Sequence, residues 1–489
     1  MSRKAVSVVG GLVVLAAAYT GCGWWFGKQV EQHYAEDFAR LANRMGLQNV
    51  QHVSYERGIF GSRATEVVTM NIQVPSPEAE SSAVEDSDDA LSVLDPRNRR
   101  GYRVLQLRLH VVQSISHGPI VGGRLAAARI ETRLERVEGA PERLRQVMAK
   151  ASPPTIDTVV AFDGSQEGRI SLPAGEIAAP EKEAQDDVRV AWQPGHIDFS
   201  VSGDRLRSRF ELQWPGLEGR FQPGALASGK PGLKIGITGF SAKADLVARN
   251  AQDWLMVPGS YVSALSQMVI KTIPAQPNEE PVTLLSLDGW NGKGSITSSG
   301  QLLSSQEKGA GKAIIMDVPL ENLGYQVSLS NISETAKRSL QEIVKKMGGS
   351  ADPVENLPDE ATLRPIVTEL SRHSSALGMR FDGTLQGQTA YIDTQVGMLP
   401  IPETGHGAVP DLLQQVLKIL KADVRVHLPK RWTMVIDQRL EKSFGKPRNG
   451  CNLDCLLRGQ GFAREGTDAW DTELRFSDGH VLLNGRQMF

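Results

Sequence analysis

Few side chains in this 489-residue chain are spaced for chemistry. His117 is the best single candidate, because it stands with Gly118 and Pro119 at the end of an alternating run, where loops carry function. The blander role for the same imidazole is a turn histidine bonded to a backbone carbonyl. The nine histidines, at 33, 52, 110, 117, 196, 373, 406, 427 and 480, never recur at the i, i+4 spacing of a helical zinc pair. Residues 306–313 approach a phosphate-binding loop but carry Gln306 in place of its first glycine and Ala313 in place of its metal-binding hydroxyl. Gly239 to Lys243 lacks the second glycine of a nucleophile elbow. Asp86, Asp88 and Asp89 lack the order and glycine of an EF-hand and read as a solvated charge run. These residues predict no catalytic, metal or cofactor site.

Two of the three cysteines, Cys451 and Cys455, lie close together. Their C-x-x-x-C spacing departs from the C-x-x-C of thiol oxidoreductases, and no second pair completes a zinc site. In an exported chain they read as a small disulfide clipping a turn.

Export is what the N-terminus predicts. Arg3 and Lys4 precede 23 uncharged residues, Ala5 to Gly27. A bilayer-spanning helix needs about 20 apolar residues, so this segment suffices. Trp24 and Trp25 sit where an aromatic belt anchors the outer interface, and the two cations favour a cytoplasmic N-terminus. Ala16 to Ala18 offer a cleavage site, and Thr20-Gly21-Cys22 offers a lipoprotein signal, as rival fates of the segment. Apolar character continuing through Phe26 favours the uncleaved anchor.

Lysine and arginine number 54 against 56 aspartate and glutamate, a balance that excludes a nucleic-acid partner. After the anchor, Val30, Tyr34, Phe38, Leu41 and Met45 recur at helical spacing and predict a stalk helix ending at Gly46. From Val50 the period becomes two, first in a hairpin of Val53–Arg57 and Thr65–Thr69. Pro75 to Arg100 reads as a polar surface loop. Strand patterns follow at Tyr102–Ile115, Arg129–Glu135, Thr155–Phe162, Arg189–Trp192, Ile197–Val201, Arg205–Trp214 and Lys234–Phe240, then at Ala422–Leu428 and around Glu473–Asn484. Two helices interrupt, Ser333–Met347 and Val409–Leu420. The predicted class is α+β, mainly antiparallel β: an extended sheet with a few packing helices behind one transmembrane and one stalk helix. Its divisions are an anchor at 1–27, a stalk at 28–46, a β-rich region at 47–330 and a mixed region at 331–489 that continues the sheet.

Thr20-Gly21, Trp24-Trp25 and Gly27 to Glu31, then Val53 to Phe60, Ser116 to Pro119 and Phe476 to Met488, run in order along the whole chain. In these residues the chain resembles the YdgA-like family of bacterial envelope proteins. Cys22 departs from the family pattern. The resemblance implies an inner-membrane anchor and a periplasmic body, and no reaction. The reading that follows is a non-enzymatic envelope protein whose sheet is a scaffold or binding surface for lipids or periplasmic protein partners. A hydrolase assembled from loops around His117 and a homo-oligomeric structural element are the alternatives.

Overall fold

The computed structural model describes residues 49–75, 102–141, 152–178, 187–222, 231–250, 253–274, 279–348, 359–401, 412–444, 453–459 and 463–488, with 25, 28, 31 and 145. The anchor up to Trp24 with Cys22, most of the 28–46 stalk, the 76–100 loop and Cys451 lie outside these residues. Among the described residues no helix is long and apolar enough to cross a membrane.

The chain runs up and down as an antiparallel meander. It begins with β1 (Asn49–Arg57), β2 (Gly61–Pro75), β3 (Tyr102–His117), the small β4–β5 hairpin (Ile120–Val121, Arg124–Leu125), β6 (Ala128–Glu138) and β7 (Thr155–Val160). Next come β8 (Gln166–Leu172), β9 (Gly175–Ala178), β10 (Asp187–Trp192), β11 (Gly195–Val201), β12 (Arg207–Gln222), β13 (Gly232–Val247) and β14 (Gly259–Ile273). The long strands β15 (Thr283–Ser299), β16 (Leu302–Ile315) and β17 (Val318–Ser333) follow. Helices α1 (Glu334–Gly348) and α2 (Glu360–Arg372) precede β18 (Ala376–Leu385) and β19 (Gln388–Met398). The remainder is α3 (Leu412–Ile419), β20 (Leu420–Pro429), α4 (Lys430–Phe444), α5 (Leu453–Gly459), β21 (Arg464–Glu465), β22 (Ala469–Ser477), β23 (His480–Leu483) and β24 (Arg486–Gln487).

All but β4 and β5 join one sheet of 22 strands, and every pairing is antiparallel. Strand β17 pairs with both β16 and β18, so the sheet crosses residue 330 unbroken. At about 4.8 Å per strand the sheet extends on the order of 85 Å, and strands of 15–17 residues make its middle about 50 Å tall.

A seam crosses β8 to β15. It passes through Pro173-Ala174, Gln193-Pro194, Pro215-Gly216, Thr238-Gly239, Ser266-Gln267 and Asp288-Gly289, where ladder pairing lapses. Three of these positions are prolines, which donate no ladder hydrogen bond, and Gly239 and Gly289 have φ of 64 and 61. The seam resets side-chain alternation. On β15, Trp290 stacks on Tyr325 while Leu287, three residues away, packs with Ala313 on the same face. Indoles staple the seam: Trp192 Nε1 donates to Pro173 O at 2.9 Å and Trp214 Nε1 to Gln193 O at 3.2 Å.

The sequence marks two helices after the stalk, whereas the described residues after it hold five. Helix α1 begins where Ser333 predicts, with Ser333 Oγ accepting from Ala336 N at 3.1 Å. Helices α2, α4 and α5 are additional. Pro365 lies inside α2, whose N-cap Asp359 accepts from Thr362 N at 2.9 Å.

Candidate functional site

Cross-strand register puts apolar side chains on one face from β2 to β23. Opposite residues point the same way, and two-residue alternation puts Ala64, Ile115, Ala128 and Val160 on one face, where they pack together. Phe199 with Phe210, and Ile197 with Leu212, continue it. Trp214, Phe240, Leu265 and Trp290 line the seam on one side, and Leu217, Ile237, Met268 and Leu287 on the other. Beyond α2, Phe381, Ile392 and Val426 align, as do Val424, Leu474 and Leu483.

The opposite face is laced with ion pairs. Arg129 meets Asp157 at 2.6 Å, Arg169 meets Asp198 at 2.6 Å, Arg209 meets Asp245 at 2.7 Å and Lys234 meets Glu218 at 2.7 Å. Hydrogen bonds from the arginines are the main cause holding Asp198 below, and raising Arg169 and Arg209 above, their ordinary ranges. Water screens such exposed pairs, so they add little stability. Together they identify this face as the wet one.

Helices cover only parts of the apolar face. Ala336 of α1 and Leu370 of α2 pack on Leu303 and Ile332. Trp432 and Val435 of α4 pack on Ala313, Leu320 and Leu385, and α4 borders an open recess of about 500 Å³ that includes Lys312 and Arg439. Elsewhere large side chains reach solvent: Phe381 is 51% and Ile392 47% exposed, with Phe210, Phe221, Ile315 and Leu474 also exposed. A run of such residues on one face is more than a monomer ordinarily leaves uncovered.

A polar island interrupts this face in β14–β17. Glu307 accepts hydrogen bonds from Tyr261 Oη at 2.8 Å and from Tyr325 Oη. Burial first, then the Glu307 carboxylate, pushes both phenols up to about 12. Gly294 and Gly309 lie beneath the rings; a Cβ there would come within 2.2 Å of Tyr261 and 2.4 Å of Tyr325. Under α1, fully buried Lys337 reaches Glu334 at 2.7 Å and Asp253 at 3.2 Å. Neither cluster is legible in the sequence, since each joins residues far apart in the chain.

His117 closes β3 and is buried, with Nε2 2.6 Å from Ser62 Oγ. Burial, and secondarily the Arg57 charge, lower its pKa. Gly118 has φ 135, and Pro119 O accepts from Ala126 N at 3.2 Å, so both residues shape the β4–β5 hairpin. A serine beside a histidine is the first contact of a nucleophilic pair. Among the described residues no hydrogen-bond partner meets Nδ1, so the carboxylate of a triad is missing, and both side chains are buried. Among the described residues no group of His, Cys, Asp and Glu could hold a metal ion. Trp25 is exposed, and Cys455 is in a disulfide whose partner lies outside the described residues.

Fold and faces together define a single-layer antiparallel sheet protein with one apolar and one ion-paired surface. A family described as "Bacterial protein of unknown function (DUF945)" matches residues 2–489, and the chain belongs to it. It is similar to Protein YdgA of Escherichia coli (strain K12), 24% identical over 538 residues, covering 99% of this chain and 95% of that protein. No solved structure matches.

Proposed function

We propose that this protein is anchored in the bacterial inner membrane by residues 5–26, with its bulk in the periplasm, and binds lipid acyl chains along the apolar face of its sheet. The observation that carries the reading is the recurrence of apolar side chains on that face to either side of the polar island and the covering helices, with half-exposed Phe381 and Ile392 and exposed Phe210 and Phe221 on it. Covering apolar surface yields roughly 25 cal/mol per Å², and a flexible acyl chain fits an elongated dry strip better than a compact ligand does. A purely scaffolding role leaves this one-sided patterning without a purpose. The Ser62–His117 contact does not favour hydrolysis, because both side chains are buried and, among the described residues, no third group orients the imidazole.

The test is purification of the intact chain in detergent, extraction, and identification of lipids by mass spectrometry beside a mock purification. Lipid enriched over the mock supports the reading. A clean protein with a co-purifying polypeptide returns the sheet to a scaffold for protein partners.

A further inference from the structure

The end of the sheet nearest the N-terminal segment carries a second apolar feature, distinct from the face. Three turns lie side by side there. His117 N donates to Phe60 O at 2.8 Å, tying the β1–β2 turn to the end of β3, and Ala127 N donates to Val160 O at 2.9 Å, tying the β4–β5 region to the end of β7. Their tips are Ile59 and Phe60, Ile120 and Leu125, and Phe162, all exposed, Leu125 at 76%. Turn tips in contact with water alone are ordinarily polar. The next turn along, Ser202 to Leu206, conforms: it is built on Asp204, which accepts from Ser202 Oγ at 2.5 Å and Leu206 N at 3.0 Å.

Chain connectivity ties this end to the residues that follow the apolar segment. Residues 25, 28 and 31 are helical, and Glu31 is paired with Arg57 at 2.7 Å, one residue before the β1–β2 turn. That pair ties the β1–β2 tip to the chain six residues after Trp25, the belt end of the 5–26 segment. Arg124, beside Leu125, flanks the tips, which suits anionic headgroups.

We propose that the tips Ile59-Phe60, Ile120, Leu125 and Phe162 dip into the headgroup region of the bilayer that holds the anchor. They seat this end of the sheet on the membrane, so that the apolar face begins at the lipid surface. The inference rests on the anchoring assumed above, and not on the face being filled by acyl chains.

The experiment uses the full chain reconstituted into vesicles of phosphatidylethanolamine with a minority of phosphatidylglycerol. A benzophenone amino acid replaces Ile59, Leu125, Asp204 or Phe381, one at a time, and photoadducts are identified by mass spectrometry. Phospholipid adducts at 59 and 125, at least fivefold above 204, are expected. Protein adducts at 59 and 125, or yields equal to that at 204, overturn the proposal. Position 381 separates the two ideas. Lipid at 59 and 125 without lipid at 381 upholds docking and removes the acyl-chain reading, and the reverse pattern does the opposite. A variant with Ile59→Asp and Leu125→Asp should lose the docked state, read as increased hydrogen exchange at the tips with the melting temperature unchanged. Unaltered exchange overturns the proposal.

Discussion

Replacing Phe381 and Ile392 by serine should strip lipid from the protein while leaving it folded. The two face each other across β18 and β19 and are 51% and 47% exposed. Each leaves on the order of 80–100 Å² of apolar surface to solvent, so an acyl chain laid over both removes roughly 180 Å² from water, about 4 kcal/mol at 25 cal/mol per Å². If a quarter of that survives the cost of ordering the chain, retention falls severalfold, since 1.4 kcal/mol is tenfold. The stability loss should stay near 1–2 kcal/mol, because half of each side chain already meets solvent. The assay pairs lipid quantification by mass spectrometry with thermal melting. Val262→Ser, an exposed site opposite Lys243 on the ion-paired face, serves as the control and should change nothing. A double variant that melts cooperatively and keeps the wild-type lipid content refutes the assignment of acyl chains to this face.

Lys337→Met breaks the buried latch between α1 and Asp253, leaving Asp253 without its cation and Glu334 with Arg249 alone, and should cost about 3–5 kcal/mol. A melting temperature within a degree of wild type contradicts the latch. Ser62→Ala removes the Ser62 hydrogen bond to the His117 ring and should cost about 1–3 kcal/mol. Because the folded pKa of His117 lies below 6.5, the unfolded chain takes up the proton first. The contribution of His117 is therefore full above pH 6.5 and lost as pH falls through the lowered folded value. His117→Gln should flatten the melting profile over that range, and an unchanged slope refutes the assignment. Peptide mapping without reductant should join Cys455 to Cys451; a Cys22–Cys455 peptide contradicts the local clip.

Much of the strand pattern was legible, and where it stopped being legible has a physical cause. The alternation ends at Trp214 on β12 and at Phe240 on β13, and splits β10 from β11, because all three places fall on the seam. There a proline or a positive-φ glycine inserts a step and period-two counting fails, though the apolar face itself continues. Strands β14 to β17 escape because Ser, Gly and Thr fill them; their glycines make room for Tyr261 and Tyr325 on neighbouring strands rather than ending the strand. Pro365 hides α2, and α4 starts directly after Pro429 with no polar cap to announce it. His117 was legible as a strand-end residue. Its burial was not, because Ser62 arrives from another strand. The one-faced apolar surface needed the register of the whole sheet, since no single strand carries it.

The most direct test of the central claim compares the two faces in one molecule. A photoreactive benzophenone side chain at Phe210 or Phe221, on the apolar face, and at Val262, equally hydrophobic and exposed on the ion-paired face, is irradiated in intact membranes. Phospholipid adducts at 210 and 221 with none at 262 are predicted. Equal labelling of both faces, or none on the apolar one, would contradict acyl-chain binding there.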